Sequence, residues 1–326
     1  KELYYKKAWK QQIKLSEESI IRFYKEDIIK ELNNKLNKGE ILYNEFISKT
    51  KKLDDIKIVN DIEPLTQEEI LNNINEQKKI NFNKFKKLSN ILKLSQNDLL
   101  VIGSMTGTGK TGFMLNLMCD LMNEYQCVYF NMEMSKSSIY KRIIAINSNI
   151  PIDNINNPVS EYQHEIVKET INYIAQAGVI IEHKTNNVKD IRTMISRIKN
   201  KNKHTIIFID HLGLTKIDGK SSLYEQMTEI MKILRQICLD YDCTIIGASQ
   251  LNRSAYTSEE LSLSMLKDSG ELENSARKII LLYRDKSSDK ENLEPTMNID
   301  VCKNDSGATG KVQMTYYKVK QIFKEK

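Results

Sequence analysis

The stretch Gly103-Ser-Met-Thr-Gly-Thr-Gly-Lys-Thr-Gly-Phe113, GSMTGTGKTGF, decides the fold. A short apolar run, Leu99 to Gly103, leads into it, and Phe113, Leu115, Leu117 and Met118 follow it as a helix. A buried strand, a glycine-bearing turn and a helix start bring backbone N–H groups and the positive end of the helix dipole to one point. That point suits a triphosphate. Lys110 neutralises the phosphates and the Thr111 hydroxyl is placed to ligand Mg²⁺. Ser104, Thr106, Gly107, Thr108, Gly109 and Gly112 complete the expected nucleotide-binding set, with ATP and Mg²⁺ as cofactors. The full pattern has glycine where Ser104 stands, but the constrained glycine beside the lysine, Gly109, is present.

Similar short runs recur downstream: Cys127 to Asn131, Val179 to Ile181, Thr205 to Asp210, Thr244 to Ser249 and Lys278 to Tyr283. Each is unpatterned and rich in β-branched residues, as expected of strands buried on both faces. Helical stretches separate them, so the sequence predicts an α/β fold with a largely parallel central sheet flanked by helices. Met297 to Cys302 and Val312 to Lys318, around Gly307 and Gly310, read as a terminal hairpin.

Residues 1–90 read as a separate helical segment, and residues 91–326 as the nucleotide-binding domain. Ser16 to Ser19 opens one helix, with Ile20, Ile21, Tyr24, Ile28 and Leu32 at helical spacing. Leu42, Phe46 and Ile47 suggest a second, and Thr66 to Glu69 reads as a capping box before Ile70, Leu71 and Ile74. Two or three helices make a poor independent core, so their apolar stripes are expected to dock on something else. The first residue is Lys, which suggests a trimmed chain.

The 326 residues, 40% hydrophobic and 28% charged, indicate a folded soluble protein with no membrane span and no secretory peptide. The five cysteines are odd in number and form no CxxC pair, which disfavours a disulfide framework or zinc site and points to the cytoplasm. The net charge of +6 fits a nucleic-acid partner and equally a lysine-rich solvated surface.

Hydrolysis needs more than a phosphate loop. Asp210 ends the most apolar run, TIIFID, where a metal-side acid belongs. Glu133, in YFNMEMS, follows another strand and can polarise an attacking water. Gln250 closes TIIGASQ, where an amide either senses the terminal phosphate or simply caps the strand.

GSMTGTGKTGF, YFNMEMS, TIIFIDHLGL, IIGASQLNRS, MLKDSGELENSA and VCKNDSGATG, in this order, resemble the motifs of the RecA-like motor domain of DnaB-type replicative helicases. The resemblance spans about residues 95 to 320, and residues 15–85 are similar to the linker that precedes that motor. It implies a homohexameric ring that encircles single-stranded DNA, hydrolyses ATP between subunits, and has primase and a helicase loader as partners. It also implies that Lys110 and Thr111 hold phosphate and Mg²⁺, Asp210 supports the metal, Glu133 is the base and Gln250 the sensor. By the same resemblance, Lys267, Asp268 and Gly270 face DNA, and Lys303 reaches the next subunit's terminal phosphate. An arginine two residues after that lysine is expected as well, and Asp305 stands there. Arg284 or Lys311 could replace that cation. Alternatively, the chain is a weakly hydrolysing ring partner, loader or regulator. A RecA-type filament ATPase is a further reading, and a small-metabolite kinase leaves SQLNR unexplained.

Overall fold

The computed structural model describes residues 28–42, 45–46, 49, 78–198, 202–219, 222–252, 261–266, 269–285 and 292–326. The chain forms two compact units, Lys1–Asn72 and Asn73–Lys326. In the first, a helix covers 28–37, with Leu32 buried and Lys35 paired to Glu31 at 2.6 Å. The expected helix start at Ser16 and the capping box at Thr66 lie outside the described residues, as do Lys267 and Asp268.

The second unit is built on one nine-stranded sheet in the order β3-β2-β4-β5-β1-β6-β7-β8-β9. Its strands are β1 (Leu99–Ser104), β2 (Gln126–Asn131), β3 (Ile180–Glu182), β4 (Thr205–Asp210), β5 (Cys243–Gln250), β6 (Lys278–Arg284), β7 (Thr296–Asn304), β8 (Gly310–Tyr317) and β9 (Ile322–Glu325). The first six in sequence order pair in parallel, and β6 to β9 pair antiparallel. The main helices are α1 (Lys86–Leu92), α2 (Lys110–Leu121), α3 (Lys136–Ser148), α4 (Glu161–Ala177), α5 (Val188–Ser196), α6 (Leu223–Asp240) and α7 (Ser269–Ser275).

Strand alternation explains the unpatterned apolar runs. Leu100 and Ile102 of β1 enter a core shared with α1 to α4, while Leu99 and Val101 enter another shared with α5 and α6. Both faces of the central strands are covered, so apolar residues fill most of their interior positions and polar ones gather toward the strand ends.

The unit begins earlier than the boundary expected at residue 90. Ile80, Phe82, Phe85, Leu88 and Leu92 are all buried in the core that holds Phe113. Residue 90 falls within α1, whose first turn receives a carboxylate: Glu325 accepts from the N–H groups of Lys87 and Leu88, both at 2.9 Å. A negative charge suits a helix N-terminus. The terminal hairpin also gains a further strand, β9, whose four residues are too few to show a period in the sequence. Through β9 the chain end reaches the helix after the phosphate loop. Asn116 of α2 donates to the Gln321 carbonyl at 2.7 Å and accepts from Phe323 N–H at 3.0 Å. Phe113 meets Phe323 edge-on at 5.3 Å and Phe85 at 6.3 Å. Phe113→Ala is therefore expected to lower unfolding free energy by about 3–5 kcal/mol in urea titrations, through lost burial and a residual cavity. A loss below about 1 kcal/mol would show that this junction does not hold the loop's helix.

Candidate nucleotide site

The site lies outside the carboxyl ends of the parallel strands, where crossovers leave a crevice. Ser104 at the end of β1 is in register with Gln250 at the end of β5, and Asn131 at the end of β2 with Asp210 at the end of β4. Four motifs far apart in sequence thus finish on one edge.

The phosphate loop has the backbone its glycines predict. Gly107 and Gly109 take φ of 76° and 105°, values that L side chains rarely adopt. A Cβ on Gly109 would also stand 3.1 Å from Tyr316 Cε1. Gly109 caps α2 without a side-chain bond, so the first N–H groups of the helix face the crevice. Thr106, Gly107, Gly109, Lys110, Thr111 and Gly112 line the pocket directly. Thr108 and Ser104 are buried behind it, and among the described residues the Ser104 hydroxyl has no hydrogen-bond partner.

Lys110 is only 8% exposed. Burial pulls its pKa below that of an ordinary lysine, and the Asp210 and Glu133 carboxylates oppose this. An anionic ligand at the ammonium would favour the charged form further.

Thr111 Oγ1 donates to Asp210 Oδ2 at 2.6 Å. Asp210 is 1% exposed, and its Oδ1 is buried without a hydrogen-bond partner among the described residues. A buried carboxylate oxygen left open is costly unless something cationic or a water fills the place. This donor set of one hydroxyl and one open carboxylate oxygen fits a magnesium ion with retained waters.

Local chemistry presents Glu133. Asn131 Oδ1 accepts from the N–H groups of Met134 at 3.0 Å and Glu133 at 3.3 Å, and Asn131 Nδ2 donates to the Met134 carbonyl. Ser135 then caps α3 by accepting from Ser138 N–H at 3.1 Å. The turn between them carries Glu133 into the pocket.

Two residues that sequence reasoning does not single out stand here. His211 Nε2 is 3.0 Å from Glu133 Oε1 and 3.3 Å from Gln250 Nε2, so it lies between the expected base and the expected sensor. Its Nδ1 accepts from Gly213 N–H at 3.1 Å, which leaves the proton of the neutral ring on Nε2, facing Glu133. Burial and Lys110 lower the His211 pKa, against Glu133 and Asp210. The position directly after the expected metal-side acid is its sequence signal. Arg142, on α3, also lines the pocket and donates to Gln321 Oε1 at 2.6 Å, beside Tyr316 and Lys318. Its helical position gives no local signal.

Lys303 lies elsewhere. β7 runs against β6, so Asn304 pairs with Lys278 at the amino edge of the parallel strands. A six-residue strand spans about 20 Å, which separates Lys303 from the phosphate loop of its own chain. Lys303 Nζ donates to the Ala276 carbonyl at 2.8 Å and is 3.7 Å from Asp305 Oδ1. Arg277 Nε is 3.8 Å from Asp305 Oδ2, and its Nη1 is 3.3 Å from Asp98 Oδ1. A guanidinium therefore accompanies the position where an arginine is expected, though it comes from another segment. Gly270 is exposed in α7.

A parallel sheet with a lysine-bearing glycine loop at its carboxyl edge, a hydroxyl and an acid beneath it, defines a P-loop nucleotide-binding domain of RecA type. Residues 81–325 match the model of the DnaB-like helicase C-terminal domain, and the chain belongs to that family. Replicative DNA helicase DnaB of Geobacillus stearothermophilus is 26% identical over 236 residues, covering 68% of this chain and 51% of that protein. Replicative DNA helicase DnaC of Bacillus subtilis is 25% identical over 232 residues, with the same coverage. The chain thus spans about half the length of the curated relatives it matches. Among solved structures, one of an ATPase domain superposes with a TM-score of 0.71 at 24% identity, covering 80% of this chain and 99% of that one. A DnaB-like replicative helicase described with its interactions with primase gives 0.70 at 20% identity, covering 94% and 78%. Both share the fold. No helix among the described residues is long and apolar enough to cross a membrane.

Proposed function

We propose that this chain is the ATP-driven motor of a replicative DNA helicase, working as a homohexameric ring on single-stranded DNA in the cytoplasm, with primase and a loader as partners. The observation that carries the reading is the convergence of Lys110, Thr111, Glu133 and Gln250 on one pocket, with Asp210 bonded to Thr111 and its buried Oδ1 without a partner among the described residues. Backbone N–H groups of the loop and the start of α2 hold the phosphates, and Lys110 offsets their charge. Thr111 and Asp210 would hold Mg²⁺, which would supply positive charge against the phosphates. Glu133 accepts a proton from the attacking water, and Gln250 meets the terminal phosphate. His211 keeps the Glu133 carboxylate placed at that water.

The cation that completes the site comes from a neighbour. Arg277 and Lys303 stand at the edge opposite the loop, so they act on the nucleotide of the adjacent subunit. Head-to-tail association joins unlike surfaces in this way and closes into a ring. Asp305 alone would favour the weakly hydrolysing reading, but Arg277 beside it restores a guanidinium. Lys267, Asp268 and Gly270 face the DNA backbone in this reading, with binding that weakens as salt rises.

The test is ATP turnover with and without single-stranded DNA on a sample whose oligomeric state is read by native mass spectrometry. The reading expects a hexamer, stimulation by DNA and displacement of a duplexed strand. A verified ring that hydrolyses ATP without response to DNA would refute it.

A further inference from the structure

We infer that Tyr129 is the positioning residue of the metal site: its hydroxyl locks the Asp210 carboxylate so that Oδ1 is presented to the ion. This deepens the metal-binding part of the reading given above and rests on that part.

Tyr129 and Phe208 are register partners on adjacent strands, and Asp210 lies two residues beyond Phe208 on the same face. That places the Tyr129 ring flat on Phe208, with centroids 5.9 Å apart and planes 17° apart. The ring is fully buried and runs along the strand toward the site, where its hydroxyl donates to Asp210 Oδ2 at 3.0 Å. Thr111 donates to the same oxygen. Two donors therefore occupy Oδ2 and none among the described residues occupies Oδ1. A carboxylate on a strand end can rotate and exchange its oxygens, but a donor fixed by a stacked ring removes that freedom.

The two donors are not equivalent. The Thr111 oxygen is itself an expected metal ligand, so its bond to Asp210 adjusts when the ion arrives. Tyr129 is wholly buried and has no role as ligand; its hydroxyl serves the carboxylate alone. Burial and the neighbouring Asp210 charge push the phenol well above its ordinary pKa, so it stays a donor. Outer-shell donors of this kind orient ligands, and their loss costs about 10- to 100-fold in metal affinity.

The experiment compares the full chain with Tyr129→Phe, which keeps the ring stack and removes one oxygen. Mn²⁺ binding in the presence of ADP is followed by electron paramagnetic resonance, and ADP binding in EDTA by calorimetry. The expected result is a Mn²⁺ Kd raised about tenfold or more, with metal-free ADP affinity unchanged. In an Asp210→Asn background, Tyr129→Phe should change Mn²⁺ affinity no further, because the effect runs through that carboxylate. The inference is overturned by a Mn²⁺ Kd within about twofold of wild type, by an equal loss of metal-free ADP binding, or by additivity with Asp210→Asn. If wild type binds Mn²⁺ with ADP as expected but does not respond to DNA, the motor reading fails and the Tyr129 role stands. If wild type binds no ADP, both fail.

Discussion

Glu133→Gln is expected to reduce ATP turnover by about 10²- to 10⁴-fold, while ATP affinity and ring assembly persist. Asn131 and Ser135 fix the turn on either side of the side chain, so an isosteric amide should be presented in the same place. What the amide lacks is basicity. Water attacking the terminal phosphate must lose a proton, and Gln cannot take it. The amide can still bond His211 at the 3.0 Å contact now made by the carboxylate, so the surrounding structure has no reason to rearrange. Single-turnover kinetics with a separate binding measurement distinguish the two effects. Turnover within about tenfold of wild type, short of what general-base loss costs, would remove Glu133 from the base role and leave it a pocket-wall residue.

Arg277→Ala is expected to lower kcat about 10³-fold, although Arg277 stands at the sheet edge opposite its own phosphate loop. The side chain is one-third exposed and shared between Asp98 and Asp305. Asp98 is almost wholly buried, and burial raises its pKa, so removing the cation beside it also carries a folding cost. Arg277→Lys separates these effects. Lysine keeps a charge for Asp98 but loses the planar fork that bridges phosphate oxygens. Arg277→Lys should therefore fold normally and still lose most of its turnover. The exchange Arg277→Asp with Asp305→Arg tests the same idea from the other side, because it returns a guanidinium to the adjacent position. Mixed rings provide the trans test. Subunits carrying Lys110→Ala, which cannot hold ATP, should rescue subunits carrying Arg277→Ala by donating Arg277 across the interface. Normal turnover by Arg277→Ala, or no rescue in verified mixed rings, would show that the cation comes from another residue.

Much of the second unit is legible locally. The run from Leu99 to Phe113 states a strand, a turn and a helix by its own chemistry, and the turn's φ values follow from its glycines. The strand bounds at Thr205 and Asp210 can be read directly, because an apolar run with no polar interruption has few other places to go. Other features have no local signal. Phe82, Phe85 and Leu88 read as lying apart from the nucleotide-binding domain, yet they pack into its core. β9 escapes a sequence reading because four residues carry little periodicity, although Phe323 stacks on Tyr316 at 4.2 Å and closes the loop's helix against the sheet.

The sequence alone determined the glycine loop and the helix after it, the α/β class and the candidate acids, because each depends on neighbours within a few residues. Only the tertiary structure decided that Tyr129 holds Asp210, that His211 lies between Glu133 and Gln250, and that Arg277 lies against Asp305. These contacts depend on strand order and register, which place β2 beside β4 and the end of β7 beside the start of β6. Hydrophobic periodicity makes a strand, but which strand lies next to it is settled by the packing of the whole sheet.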